Sequence, residues 1–64
     1  MKYAIAKKVG TQQVYNNEYE VIAIHSAFDK ALEKSGNQEI ILEVDGSISV
    51  GDSINDDGKK WEAQ

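Results

Sequence analysis

The chain contains no cysteine in 64 residues. That absence sets the strongest limit on how it can fold. A domain of this length buries only about 60% of the surface its unfolded chain exposes. Chains so small commonly rely on disulfides or a thiolate-bound metal to make up the deficit. Neither is available here, and redox chemistry at sulfur is excluded with them. A single histidine rules out a multi-histidine centre. The fold must therefore rest on apolar packing or draw stability from a partner. Apolar residues at 41% and charged residues at 28% suit one small packed domain rather than a disordered chain. The longest apolar runs, Val21–Ile24 and Ile40–Leu42, fall far short of the roughly 20 residues a membrane span needs. The opening MKYAIAKKVG carries no long apolar stretch and no small-residue cleavage pattern, so no signal peptide is expected and the cytoplasm is the expected compartment.

Apolar spacing gives the elements. Residues 2–9 alternate as a strand, with Tyr3, Ile5 and Val9 on one side and Lys2, Ala4, Ala6 and Lys8 on the other. Gly10-Thr11 reads as a turn, and 12–15 as a short returning strand. A helix is expected over 18–35. Asn17 and Glu20 form a capping pair at its start, and Gly36 adopts a left-handed close at its end. Val21, Ile24, Ala27, Phe28, Ala31 and Leu32 make its apolar stripe. Residues 38–44 alternate as a half-buried strand around Ile40, Leu42 and Val44. Asp45-Gly46 is the strongest hairpin signal in the chain, returning as a strand at 47–50 with Ile48 and Val50 inward. The expected fold is α+β, in the order β-β-α-β-β, with one helix packed on an antiparallel sheet. Its core would join Ile24, Phe28 and Leu32 to Ile5, Ile40, Leu42 and Ile48. Residues 1–51 would form the domain and 52–64 an acidic loop or tail, with Trp61 docked back or frayed.

This arrangement resembles a family of short bacterial and phage proteins known only as a domain of unknown function. The shared features are an aromatic-led strand (Tyr3-Ala4-Ile5), an Ala-containing helix ending at Ser35-Gly36, and an apolar strand (Ile40-Ile41-Leu42). After that strand comes a D-G-x-I-x-x-x-D-S pattern, represented by Asp45-Gly46, Ile48 and Asp52-Ser53. The resemblance covers about residues 3–53 and implies a fold without an activity.

Charge is divided along the chain. The net charge is −4, yet residues 1–15 hold Lys2, Lys7 and Lys8 without an acid. Residues 37–57 hold Glu39, Glu43, Asp45, Asp52, Asp56 and Asp57 without a base. The acidic sign disfavours nonspecific contact with nucleic acid or an anionic membrane. Lys2, Lys8 and Tyr15 would offer a nucleic-acid-binding sheet face, but the chain has no arginine to read phosphate or guanine.

Catalytic constellations are weak. His25 and Asp29 stand one helical turn apart, but the neighbouring hydroxyl, Ser26, points elsewhere. Glu39 and Glu43 share a strand face without sugar-binding aromatics. The SINDDG segment fails as a calcium loop, because Ser53 and Gln64 occupy the positions that need Asp and Glu. Gly10 is isolated, so no phosphate loop is present. No enzyme activity, cofactor or metal is expected. Ile22 falls off the helical stripe beside Tyr19, which makes a contact patch and, in its self-associating form, a homodimer. The sequence therefore points to a non-catalytic protein-interaction module, a bacterial or phage-encoded regulator or inhibitor. Its partner-binding residues would be Tyr19, Ile22, Glu39, Glu43 and Asp45. A small nucleic-acid-binding domain using the lysine-bearing sheet is the alternative.

Overall fold

The computed structural model describes residues 1–9 and 17–62. It contains β1 (Lys2–Lys8), β2 (Tyr19–His25), α1 (Phe28–Lys34), β3 (Glu39–Val44) and β4 (Ser53–Ile54). The sheet order is β3-β1-β2-β4, with every neighbouring pair antiparallel. The fold is α+β, with one helix on a four-stranded antiparallel sheet. The expected returning strand at 12–15 and the turn at Gly10-Thr11 lie outside the described residues.

The β-β-α-β-β order arises from different segments than the spacing suggests. Residues 19–25, expected to be the first half of a long helix, form β2 instead. They pair with β1 from Tyr3↔His25 to Lys8↔Tyr19. Between Ile5↔Ala23 and Ala6↔Val21 the register shifts, leaving Ile22 as the extra residue of a β-bulge. The helix is only the seven residues Phe28–Lys34. Asn17 does not cap it; the N-cap is Ala27, with no side-chain bond. Gly36 does not take a left-handed conformation, since positive φ occurs only at Gly51 and Gly58. Its amide donates instead to Glu39 Oε1 at 2.6 Å. A helix this short is marginal alone and is held by what it touches.

Because β2 and β3 both run antiparallel to β1, they run parallel to each other on its two flanks. A parallel pair needs a crossover, and α1 supplies it, lying against β1 and β2. Ala31 is fully buried, and Phe28 meets Tyr3 edge-to-face at 5.6 Å between ring centroids. The helix covers the side of the sheet bearing Tyr3, Ile5 and Lys7.

The main core lies on the opposite side. Ala4, Ala6, Val21, Val44, Ile48 and Ile54 form it, with Tyr19, Ile24 and Leu42 packed alongside. Ile24 thus enters the core from a strand. Phe28 and Leu32, expected at the centre, are 48% and 58% exposed, and Ile40 is 37% exposed. For Phe28 and Leu32 the reason is that α1 has only two turns and buries only Ala31, too little to bury a full stripe.

Residues 45–62 form the cover of this second side. Asp45-Gly46 does not make a two-residue hairpin. Ile48 N donates to the Asp45 carbonyl, closing one turn, and Asp52 N donates to the Ser49 carbonyl, closing another. The chain thereby crosses the sheet, burying Ile48 and leaving Val50 63% exposed. It does not return beside β3. It reaches the far edge, where Gly51 N donates to the Val21 carbonyl and Val21 N to that of Asp52. β4 follows on β2, with fully buried Ile54. The segment expected to be a loop or tail from 52 onward therefore contains a strand. A small hairpin follows it, in which Asn55 N donates to Lys59 O and Ile54 bridges Lys60. Trp61 is docked, its amide donating to the Ser53 carbonyl at 2.9 Å. The hairpin tip closes back on β3: a Cβ built on Gly58 would lie 2.3 Å from the Glu43 carbonyl oxygen.

Candidate interaction surface

Each residue singled out from the sequence has a definite place. Glu39 and Glu43 stand at opposite ends of β3, opposite Lys7 and Tyr3 of β1. Alternation along the strand puts both on the helix side of the sheet, with Ile41 between them. Lys2 and Lys8 are not their register partners: Lys2 stands opposite Val44 and Lys8 opposite Tyr19.

Asp45 lies past the end of β3. The Ser47 hydroxyl and the Ser47 amide both donate to its Oδ1, the amide at 2.8 Å. Those two bonds, with Lys59 and Lys60 nearby, hold its carboxyl below the ordinary value. The base-free stretch of sequence is thus met by two lysines that the hairpin brings back to it.

Other carboxylates of the acidic stretch are also engaged. Asp52 Oδ2 accepts from Ser49 N at 2.8 Å. Asp56 accepts from the Tyr19 hydroxyl and, at 3.4 Å, from Asn17 Nδ2. Glu18 Oε2 accepts from Ser53 Oγ at 2.6 Å. The bond to Asp56, reinforced by desolvation and by the carboxylate charge, raises the Tyr19 phenol above its ordinary value.

Tyr19 therefore belongs to the packing of the second sheet side, whereas Ile22 sits in the bulge, 37% exposed. The two do not lie on a shared helix. His25 is on β2, half-buried opposite Tyr3, and Asp29 is on α1, so the expected one-turn pairing of the two is absent. Among the described residues, no group of three or more His, Asp or Glu side chains is placed to hold a metal ion. No helix among them is long and apolar enough to cross a membrane.

The open sheet face invoked for nucleic acid is closed. Ala4 and Ala6, on the same side as Lys2 and Lys8, lie completely buried under the 45–62 cover. Tyr15 is outside the described residues.

The surface that sequence reasoning missed is on α1. Phe28 and Leu32 are four residues apart, so they stack along one side of the helix. Asp29 and Glu33 follow each of them by about 100°. Phe28 rests on Tyr3, whose neighbour on β3 is Glu43. Beyond the helix C-terminus, Glu39 holds the Gly36 amide. An apolar strip is therefore flanked by acids of the helix, with Glu43 one strand away across Tyr3. Its signal was the shortness of any helix beginning after Ser26, which leaves large side chains half-covered.

No family model, curated protein or solved structure matches the chain.

Proposed function

We propose that the protein is a non-catalytic interaction module. It binds a partner protein through the Phe28–Leu32 strip and the carboxylates of Glu39 and Glu43. The observation that carries this reading is the exposure of Phe28 and Leu32 on a helix that also carries Asp29 and Glu33, with Phe28 resting on Tyr3, the register partner of Glu43. Contiguous exposed apolar side chains with a polar rim are characteristic of protein-binding surfaces. The rim's sign selects a basic partner and speeds encounter with it. A role as a regulator or inhibitor in the cytoplasm belongs to the same proposal.

The test is a nuclear magnetic resonance titration of the intact chain with two probes, a lysine-rich amphipathic peptide and a single-stranded oligonucleotide. The expected outcome is that the peptide shifts the signals of Phe28, Leu32, Glu39 and Glu43. Its affinity falls with salt and falls again in Glu39→Gln/Glu43→Gln. Shifts produced by the oligonucleotide alone would reject this reading in favour of nucleic-acid binding. A salt slope unchanged by the double substitution would reject the acidic contact.

A further inference from the structure

β3 is the outermost strand on its side of the sheet, and among the described residues no strand pairs with its outer edge. An unpaired edge presents a row of backbone donors and acceptors able to template another strand. The side chains tell the same story. Ile40 is 37% exposed, and Ile41 and Leu42 are only partly buried, whereas Ala4, Ile5 and Ala6 in adjacent β1 are sealed. Three consecutive apolar residues on both faces of an edge strand remain to be covered. At both ends the edge is already engaged: the hairpin tip at Gly58 abuts the Glu43 carbonyl, and the Glu39 amide donates to the Gly36 carbonyl at 3.3 Å. The open stretch is Ile40–Leu42.

A second copy is a poor occupant. Antiparallel pairing centred on Ile41 sets Glu39 of each strand opposite Glu43 of the other. Parallel in-register pairing stacks each glutamate on itself. Like charges directly opposite are destabilising in either arrangement. The inner edge of the same strand shows what β3 accepts: in β1, Lys7 stands opposite Glu39 and Ile5 opposite Ile41.

We infer that Ile40–Leu42 on the outer edge of β3 takes an extended segment of a partner protein as a fifth, antiparallel strand, whose flanking Lys or Arg side chains, four residues apart, reach Glu39 and Glu43. This rests on the reading of Glu39 and Glu43 as contact residues and adds the form of the partner. Backbone pairing supplies affinity, and the spacing of the two cations supplies register and partner choice. The glutamates thus have two effects, excluding self-pairing and selecting a basic strand.

The experiment titrates the intact chain with a capped Lys-Val-Thr-Val-Lys peptide, followed by backbone amide shifts and hydrogen exchange. Two N-methylated isomers, blocked on alternate amides, have one edge or the other unable to pair. The expected result is slowed exchange within Ile40–Leu42. One isomer binds like the parent, and the other is weaker by about tenfold or more. Glu39→Gln/Glu43→Gln lowers affinity about fivefold. Glutamine retains an acceptor for the Gly36 amide, so the fold is kept. Glu39→Lys/Glu43→Lys instead prefers Glu-Val-Thr-Val-Glu. If both isomers bind as well as the parent while the glutamine variant binds worse, strand addition is overturned and the acidic contact stands. If the parent peptide binds no better than its glutamate counterpart, both ideas fail.

Discussion

Three glycines separate the two costs of adding a methyl group, and together they test how the hairpin closes on β3. Gly58 has φ +79°, and its missing Cβ would lie 2.3 Å from the Glu43 carbonyl oxygen and 3.3 Å from Val44 Cγ1. Gly51 has φ +96° with nothing within 4 Å of the added atom, and Gly46 is equally open without positive φ. Gly46→Ala therefore meets no strain and should stabilise slightly, by up to about 0.4–1 kcal/mol, through the unfolded chain. Gly51→Ala should cost about 1–2 kcal/mol for the left-handed backbone alone. Gly58→Ala carries that cost and an overpacking cost of about 1–3 kcal/mol. A backbone oxygen within β3 cannot swing aside, so the sum is about 2–5 kcal/mol. A core this small supplies only about 3–5 kcal/mol in total. The assay is urea and thermal unfolding by circular dichroism, where each 1 kcal/mol moves Tm by about 4–8 °C. The expected order of stability is Gly46→Ala, wild type, Gly51→Ala, then Gly58→Ala with most of its structure lost. Equal melting of the Gly51 and Gly58 variants would refute the contact between the hairpin tip and β3.

Burial predicts that Phe28→Ala costs only about 2 kcal/mol, because half the ring is exposed, while Ile54→Ala costs about 2–5 kcal/mol, at the upper end of that range for a sealed site. A larger loss at Phe28 than at Ile54 in urea unfolding would contradict the placement of the core. The raised Tyr19 phenol stabilises the fold fully below pH 10.0, its ordinary value, and that contribution is lost as pH rises through the folded value. Ultraviolet titration should show a late-ionising phase that Tyr19→Phe removes.

The bulge in β2 explains why its sequence resembles a helix. Val21 and Ile24 lie on one side of the sheet, opposite Ala6 and Ala4. In a regular strand two such residues are separated by an even number, but the extra Ile22 makes the separation three. That is the spacing of a helical stripe, and it runs smoothly into the true helix at Phe28 and Ala31. The contrary signal was local composition: Tyr19, Val21, Ile22 and Ile24 are aromatic or β-branched, which favours a strand. β1 and β3 were legible because no bulge shifts their two-residue period, although Ala4, Ala6 and Ile41 put apolar residues on both sides. The turn at Asp45-Gly46 was placed correctly but its geometry was not. Ser47 two residues on gives the Asp45 carboxylate local donors, which stabilise a turn without positive φ at Gly46. From there the chain crosses the sheet, and pairing of Ser53–Ile54 with β2 depends on contacts far away in sequence.

Counting charges exposed the acidic stretch but could not divide it. A carboxylate two or three residues from a serine or glycine has a nearby donor, and in this fold Asp45, Asp52 and Glu39 each accept from one. Asp56 and Glu18 accept from residues more than thirty positions away, and so join the cover to β2 and its approach. These groups hold turns and straps, so neutralising them would alter folding along with any binding. Glu43 differs, being exposed at the edge of the sheet with Tyr3 as its register partner. Glu39 differs in part, since its bond to the Gly36 amide engages one oxygen and leaves the other directed to its surroundings. The proposed acidic contact therefore concentrates on the two residues of β3 rather than on the longer run of aspartates that follows. The physical basis is the strand itself: it fixes both glutamates on one side at a four-residue spacing, beside an unpaired backbone edge and the Phe28–Leu32 strip. A partner that satisfies all three must bring cations, apolar surface and extended backbone together, which is a far narrower requirement than opposite charge.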